Sequence, residues 1–583
     1  EKRVEFIHST PDRLYRALHQ IAQNAPIVDG DLQRAFTGCY TSLARIKRGA
    51  QESLARLVQT EAFCVAAWWT FEHEYPAQEL EDAWRDHLFN DFHDILPGSC
   101  IEPAEQDALA LYGRAAETAR RLRLDAAIAL SQNRFPNPAL PLTVLNSNPA
   151  SQPLPVEVEC MLDYRPYWKG TWHLRVLDAD GREIPSQEEQ PESLLPFNGW
   201  RRKVCFQSQL PALGLASFRL EVAEGERKEE VNKPALSFRI NPNDGLVQSL
   251  DAGGGRECLA GLLLQPMVVE DDGDSWGSDH WSYRKVFGYF RMNPASFRTV
   301  GCGPVRATTE SVFHFERSKI VMHTIAYASW PVLEYRLRIF WGEERKRLKL
   351  SIPTVFHAPH LLCEVPGGAI YRAANRQEHV HGRWFMLQGT LKGKEMALAV
   401  AHNGQHGIDF ADGEVRLSVL RSAAYCHERG FTIGEFPARK YMDLGVHDVR
   451  LLVTAGDMET VRRSIPTFAD WLDSPPVAYA HLPISNSKGD STVQNLSKEK
   501  STAFLEIFSL TPENIRLLAC KRSYSRKNLI LRLQESSGMI TFATLKFRQP
   551  EAQALLEFRP YEIKTVRLER NGLVKEVDMI DEF

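Results

Sequence analysis

Asn133, Pro136, Asn137, Pro138 and Pro141 crowd into one short stretch and divide this sequence into two textures. Before them, apolar residues recur at helical spacing. After them, short strand-like segments alternate with Pro, Gly, Asn and Asp turns. Such a chain is expected to fold as a helical domain followed by β domains, since no β-α alternation runs through residues 1–140. At 583 residues it exceeds what one core can organise, and length alone suggests about four domains.

In the helical part, Ser9-Thr10-Pro11-Asp12 opens a short helix carrying Leu14, Leu18 and Ile21, which ends near Pro26. From Asp31 to about His73, Leu43, Ile46, Leu54, Leu57, Val58, Ala62 and Val65 form one stripe. Arg45, Lys47, Arg48, Glu52 and Arg56 fall mostly off it. Leu80, Ala83, Trp84, His87 and Leu88 share a face of the next helix, expected to run to His93. A third run from about Pro103 carries Leu111, Ala115, Ala119, Leu122 and Ala126. Three helices joined by short breaks pack as an antiparallel bundle, placing a first domain at 1–137.

The strand segments 142–146, 156–162, 172–177, 204–209 and 217–222 predict a small β-sandwich over 138–233, closed by the charged stretch 224–233. Too many strands follow, through 415–420, for an immunoglobulin-like domain. They predict a large two-sheet sandwich over 234–475. Pro475-Pro476 marks the next boundary, and 476–583 reads as a C-terminal β-sandwich with a Ser/Asn/Lys-rich stretch at 485–501. The fold class is therefore multidomain α + β: a three-helix bundle followed by β-sandwich domains, one of them a large supersandwich.

The stretch with the clearest chemistry is Asp91-Phe92-His93-Asp94-Ile95-Leu96-Pro97-Gly98-Ser99. A helix should deliver His93 to a fixed spot, Pro97-Gly98 should stop it, and Ser99 with Glu102 has the form of a capping box. An imidazole beside a carboxylate could be a zinc ligand with its orienting partner, but on spacing alone it reads as a hydrogen-bonded structural histidine. Other groupings have plainer readings. Glu270-Asp271-Asp272-Gly273-Asp274 lacks calcium-loop spacing and reads as a solvated loop. His379 and His381 alternate and could share a metal, but no third ligand is evident; His357 and His360 read likewise. Gly301-Cys302-Gly303 is not a dinucleotide motif, and Gly253-Gly254-Gly255 is a turn. Arg372 and Asn375 could line a sugar cleft, whereas Trp68, Trp69 and Trp84 suit the bundle core better than a sugar platform.

Seventy basic and 74 acidic residues leave a net charge of −4, so there is no polyelectrolyte signal for nucleic acid or an anionic membrane. Apolar runs are strand-sized and nothing is predicted to span a bilayer. Ten cysteines stand singly, without a C-x-x-C pair, which points to a reducing cytoplasm rather than a disulfide scaffold. The sequon Asn495-Leu496-Ser497 is expected by chance in a chain this long. The first residues, Glu1-Lys2-Arg3, have neither an initiator methionine nor signal-peptide flanks, so the start reads as internal.

Phe92-His93-Asp94-Ile95-Leu96-Pro97-Gly98-Ser99 resembles the motif of the family 38 glycoside hydrolases, the retaining α-mannosidases. Upstream, Gly38-Cys39-Tyr40-Thr41-Ser42-Leu43-Ala44-Arg45-Ile46-Lys47-Arg48 resembles the same family's Tyr-Thr-Ser…Lys-Arg helix. The likeness continues through Pro211-Ala212-Leu213-Gly214, Trp341-Gly342-Glu343-Glu344 and the closing strand Pro560-Tyr561-Glu562-Ile563-Lys564-Thr565-Val566. It includes residues 400–407, where the family's tyrosine is His406. The large sandwich is similar to the galactose mutarotase-like supersandwich.

The resemblance implies that His93 is a zinc ligand and that Asp94 binds sugar hydroxyls. It implies that the nucleophile, the acid/base and the remaining zinc ligands belong to an N-terminal α/β domain, with no catalytic carboxylate in this chain. Residues 4–10 resemble the strand leading out of that domain. The expectation is a C-terminal portion of a zinc-dependent mannosidase, inactive alone because one imidazole cannot hold zinc. The whole enzyme would remove α-linked mannose with retention, from free oligosaccharides or small mannosides such as mannosylglycerate. Its partners would be that substrate and the missing N-terminal domain, and a homo-oligomer is compatible with it. The rival from another class is a non-catalytic carbohydrate-binding or scaffold protein.

Overall fold

The computed structural model describes residues 4–22, 25–28, 32, 35–131, 140–149, 152–162, 170–192, 201–227, 232–425, 440–482 and 504–579. The boundary at 137, the 485–501 stretch, the sequon, Cys426 and part of the charged stretch at 224–233 lie outside these residues. The chain forms two compact units, Glu1–Ala35 and Phe36–Phe583. In the first, helix α1 (Pro11–Ile21) follows Thr10, whose backbone is extended, with proline in its first turn as predicted.

The second unit begins with the bundle: α2 (Ala44–Phe71), α3 (Ala77–Phe89) and α4 (Glu102–Ser131). Leu57, Ala83, Ala115 and Ala119 make its inner seam, where alanines let the helices approach closely. Lower down, Phe63, Val65, Trp69, Leu122 and Leu130 share a core with Phe508, Leu531 and Leu533 of the C-terminal domain. At the other end, Leu43, Ile46, Cys100 and Tyr112 pack on Ala423 and Met442.

Two boundaries differ from the periodicity. Helix α2 starts at Ala44 rather than near Asp31, and Leu43, with φ 52°, takes a left-handed conformation before it. Helix α3 stops at Phe89, four residues short of His93, with its last turn running into a series of tight turns.

The β part has the expected sandwich architecture. A six-stranded sheet (Val477–Ala480, Leu140–Asn146, Gly214–Glu224, Trp172–Leu177, Glu183–Ile184, with Phe504–Glu506 also on Gly214–Glu224) shares one core with a three-stranded sheet. The segment after Pro475-Pro476 thus returns to the small sandwich, Leu142 facing Ala480, before the C-terminal domain begins.

The large sandwich pairs a six-stranded with a ten-stranded sheet around the largest core, which includes Leu337, Leu350, Leu398, Leu417 and Val453. Helix α5 (Met458–Asp473) covers the outer face of the ten-stranded sheet with Ile465, Phe468 and Trp471, the last packed on Trp330. Three- and four-stranded sheets complete the chain. No helix among the described residues is long and apolar enough to cross a membrane, and no disulfide joins the described cysteines.

Candidate active site

The turn after α3 puts His93 in the open: its side chain is 79 % exposed, and Nε2 lies 3.6 Å from Asp94 Oδ2. Its ring leans on Phe92, with centroids 4.3 Å apart. Asp94 is tied to the far side of the turn. Its carbonyl accepts the Ser99 N–H at 3.1 Å, and its Oδ1 accepts the Ser99 hydroxyl at 3.2 Å. Helix α4 starts only at Glu102, three residues past Ser99, so Ser99 does not stand at the helix start where a capping box places it.

Gly98, at φ +79°, lies against the Ser42 carbonyl, which a Cβ would strike. The same Ser42 carbonyl accepts from Lys47 Nζ at 2.5 Å, and Lys47 also donates to the Leu96 and Pro97 carbonyls at 3.2 and 3.3 Å. The two sequence stretches singled out above therefore meet face to face. Burial lowers the Lys47 ammonium to about 8, against raising contributions from Cys39, Asp443 and Cys100.

This junction is anchored in the large sandwich. The Gly38 N–H donates to the Trp276 carbonyl at 2.9 Å, and the Ser42 hydroxyl donates to the Ser275 carbonyl at 2.7 Å. Arg421 reaches Ser42 Oγ at 3.2 Å while its fork grips Asp271 at 2.6 and 2.8 Å. Asp271 also accepts from Arg347, which continues to Glu378, then Lys349, then Asp409, all of them buried. Burial alone would raise the Asp271 carboxyl; the Arg421 and Arg347 guanidiniums outweigh it and hold it below the usual range. Asp271 is thus an interior anchor, not part of a solvated loop.

Asp443 completes the junction. Its Oδ2 accepts the Ala44 N–H at 3.0 Å, so a carboxylate some 400 positions away in sequence supplies the missing cap of α2. Burial pushes this carboxyl up to about 6, although the Ala44 amide opposes it. Beside this helix start a groove of about 230 Å³ is lined by Arg45, Arg48, Glu52, Gln405, His447 and Asp448. Arg48 is engaged with Glu52 and the Asp448 carbonyl, and Arg45 with the Leu444 carbonyl.

The other candidates separate. His379 bonds to Asn375 Oδ1 at 3.0 Å, whereas His381 is buried against His402, their Nε2 atoms 2.7 Å apart, with His406 adjoining. His379 and His381 therefore do not converge. Arg372 donates to the Val380 carbonyl, and His360 packs edge-on to Tyr371. Trp69 is buried with its indole N–H on the Gln549 carbonyl, and Trp68 lies beside it under Arg570. Among the described residues no group of three His, Cys, Asp or Glu side chains is arranged to hold a metal ion.

A helical bundle whose exposed His-Asp turn is braced on a large double sheet, followed by further sandwiches, is an architecture that occurs in glycoside hydrolases. Residues 34–130 match the alpha mannosidase middle domain, and residues 231–429 match the glycosyl hydrolases family 38 C-terminal domain. The chain is 23% identical over 567 residues to alpha-mannosidase 2C1 of Mus musculus, covering 94% of this chain and 49% of that protein. It is also 23% identical over 433 residues to alpha-mannosidase 2C1 of Homo sapiens, covering 71% of this chain and 38% of that one. A crystal structure of a glycosyl hydrolase family 38 protein from Enterococcus faecalis superposes with a TM-score of 0.76 at 15% identity, over 97% of this chain and 74% of that one. The chain belongs to glycoside hydrolase family 38, the α-mannosidases, and spans about half the length of the mouse relative.

Proposed function

We propose that this chain forms the middle and C-terminal part of a retaining, zinc-dependent α-mannosidase. In this reading His93 is one zinc ligand and Asp94 binds sugar hydroxyls, while the nucleophile, the acid/base and the other ligands come from polypeptide outside these 583 residues. The observation that carries the reading is the position of His93: on a braced turn and 79 % exposed, ready for groups that arrive from elsewhere.

His93 fits the metal as a single donor. A neutral imidazole with a carboxylate at its side is ordinary zinc chemistry, and three or four ligands are needed to retain the ion. When bound, zinc would supply a Lewis-acid anchor for adjacent sugar hydroxyls. This chain's own contribution is orientation. The Asp94 carboxylate, steadied by Ser99, accepts from a hydroxyl of the bound mannose, and the sandwiches behind it keep the turn in place.

Leu88, Phe89, Phe92 and Ile101 stand 58, 71, 54 and 55 % exposed around the turn. Such an apolar rim suits burial under the catalytic domain. The substrates are free oligosaccharides or small mannosides such as mannosylglycerate, and the setting is cytoplasmic. Alone, the 583 residues neither retain zinc tightly nor cleave mannosides.

The test compares this chain with the full-length gene product, each with added zinc, in metal content and in hydrolysis of an aryl α-mannoside. The full-length protein should bind zinc and turn over, and His93→Ala in it should lose both. Turnover by the 583-residue chain, or zinc retention by the His93→Ala protein, overturns the reading.

A further inference from the structure

Lys47 is a cation in an unusual place. It is 6 % exposed, and among the described residues no carboxylate lies within ion-pair distance of it. Its three N–H donors are matched by three carbonyls, those of Ser42, Leu96 and Pro97. An ammonium with no carboxylate in direct contact is costly to bury, so the three carbonyls that take its hydrogens matter to where it stands.

The turn consumes its own amides. Leu96 N–H goes to the Phe92 carbonyl, Gly98 N–H to Ile95, and Ser99 N–H to Asp94. The carbonyls of Leu96 and Pro97 face the start of α2 instead, and Lys47 collects both together with the Ser42 carbonyl. Gly98 lies in the same contact, against Ser42. From there the path to the chemistry is short. Leu96 and Pro97 lead into Ser99, and the Ser99 hydroxyl holds Asp94 Oδ1 at 3.2 Å.

We infer that Lys47 is a positioning residue for mannoside hydrolysis: through the Leu96 and Pro97 carbonyls and then Ser99, it sets where Asp94 and His93 stand. This rests on the function proposed above, and the experiment separates the two. The groups that face Lys47 electrostatically are Cys39, Cys100, Asp443, Arg421 and His406. Because burial lowers the Lys47 ammonium to about 8, the brace should slacken as pH rises through that value.

The experiment uses Lys47→Met, which keeps the length and loses the donors, and Ser99→Ala, which removes the hydroxyl that meets Asp94. In the 583-residue chain, amide exchange at Gly98 and Ser99 should quicken about tenfold or more in Lys47→Met, with α4 protection unchanged. In the full-length protein, kcat/KM should fall about 10- to 100-fold for Lys47→Met and by a smaller factor for Ser99→Ala. The parent should lose kcat/KM as pH passes about 8, and Lys47→Met should be low and flat over the same range.

Unchanged exchange at Gly98 and Ser99 overturns the inference. So does a kcat/KM within about twofold of the parent in both variants while His93→Ala abolishes turnover. If His93→Ala itself leaves turnover intact, the functional reading has failed, and with it the catalytic role of Lys47. Should Lys47→Met not fold, Ser99→Ala decides alone: a kcat/KM equal to the parent's sinks the proposed path.

Discussion

His402 and His381 bring their Nε2 atoms to 2.7 Å in the interior of the large sandwich, and the surrounding bonds fix which ring gives the proton. His402 Nδ1 accepts the Gln405 N–H at 3.2 Å, so its proton sits on Nε2 and is donated to His381. His381 in turn donates from Nδ1 to the His406 carbonyl at 3.1 Å, and His406 donates from Nδ1 back to the His381 carbonyl at 3.0 Å. These bonds join the three rings as neutral imidazoles.

Acid should break this arrangement. Burial holds His381 and His402 well below the usual imidazole value of 6.5, and lowers His406 as well. Above that value folded and unfolded imidazoles are both neutral. Below it the unfolded chain takes up protons that the folded one refuses, so stability falls with pH at up to about 1.4 kcal/mol per pH unit for each ring. Asp443 and Asp473, both raised to about 6, act in the opposite direction over the same range. The informative comparison is therefore between parent and His402→Gln. The variant's unfolding midpoint should fall less steeply between pH 6.5 and 5, and parallel slopes would show that the cluster does not titrate.

The α2 start makes a second test. Asp443 holds the Ala44 amide from a left-handed backbone position at φ 58°. Cap loss costs about 1 kcal/mol, and a Cβ in that conformation costs a further 1 or so in alanine. Asp443→Asn should be nearly neutral, Asp443→Gly should lose about the value of the cap, and Asp443→Ala should lose the most. Urea unfolding of the three variants gives the order directly; alanine ranking above glycine would mean that the backbone conformation is not the one described.

Where the sequence was readable, contiguity and periodicity carried the information. The stripe through Leu57, Ala62 and Val65 and the one through Ala115, Ala119 and Leu122 are buried as their spacing requires. Leu54 and Leu88, one step round their helices, are 46 and 58 % exposed. The helix ends were not readable, because the start of α2 is set by Asp443 and by the Gly38 bond to Trp276, neither of which is near in sequence. His93 and Asp94 could be picked out because they are adjacent. Their support could not: Lys47 lies off the apolar stripe, and its ammonium is taken up by the carbonyls of Ser42, Leu96 and Pro97, two of them about 50 positions away. Asp271 looked solvated because Arg347 and Arg421, 76 and 150 positions away, reach it only once the sheet has formed.

That carboxylate is accordingly the position at which one substitution should do most harm. Asp271→Asn leaves Arg421 and Arg347 buried with their shared counter-charge removed, and breaking a buried pair in this way costs about 3–5 kcal/mol. Adding Arg421→Gln removes one of the two stranded cations, so the double variant should recover part of the loss. Denaturant midpoints of the parent, both singles and the double close the cycle. Additive losses would mean that Asp271 and Arg421 stabilise the sheet independently.

The turn itself can be tested without touching its chemistry. Gly98 combines φ +79° with a carbonyl, that of Ser42, where its Cβ would stand. The left-handed conformation alone costs alanine about 1 kcal/mol or more, and the contact forces Ser42 and Gly98 apart. Separation there draws the Leu96 and Pro97 carbonyls away from Lys47, so the damage should be local: Gly98→Ala should raise proteolytic nicking between Phe92 and Cys100 while leaving the sandwich transitions in place. A D-alanine at this position, introduced by semisynthesis, accepts the positive φ and directs its methyl elsewhere. It should restore most of the resistance, whereas equal nicking of the L- and D-alanine proteins would show that the turn does not depend on this approach to Ser42.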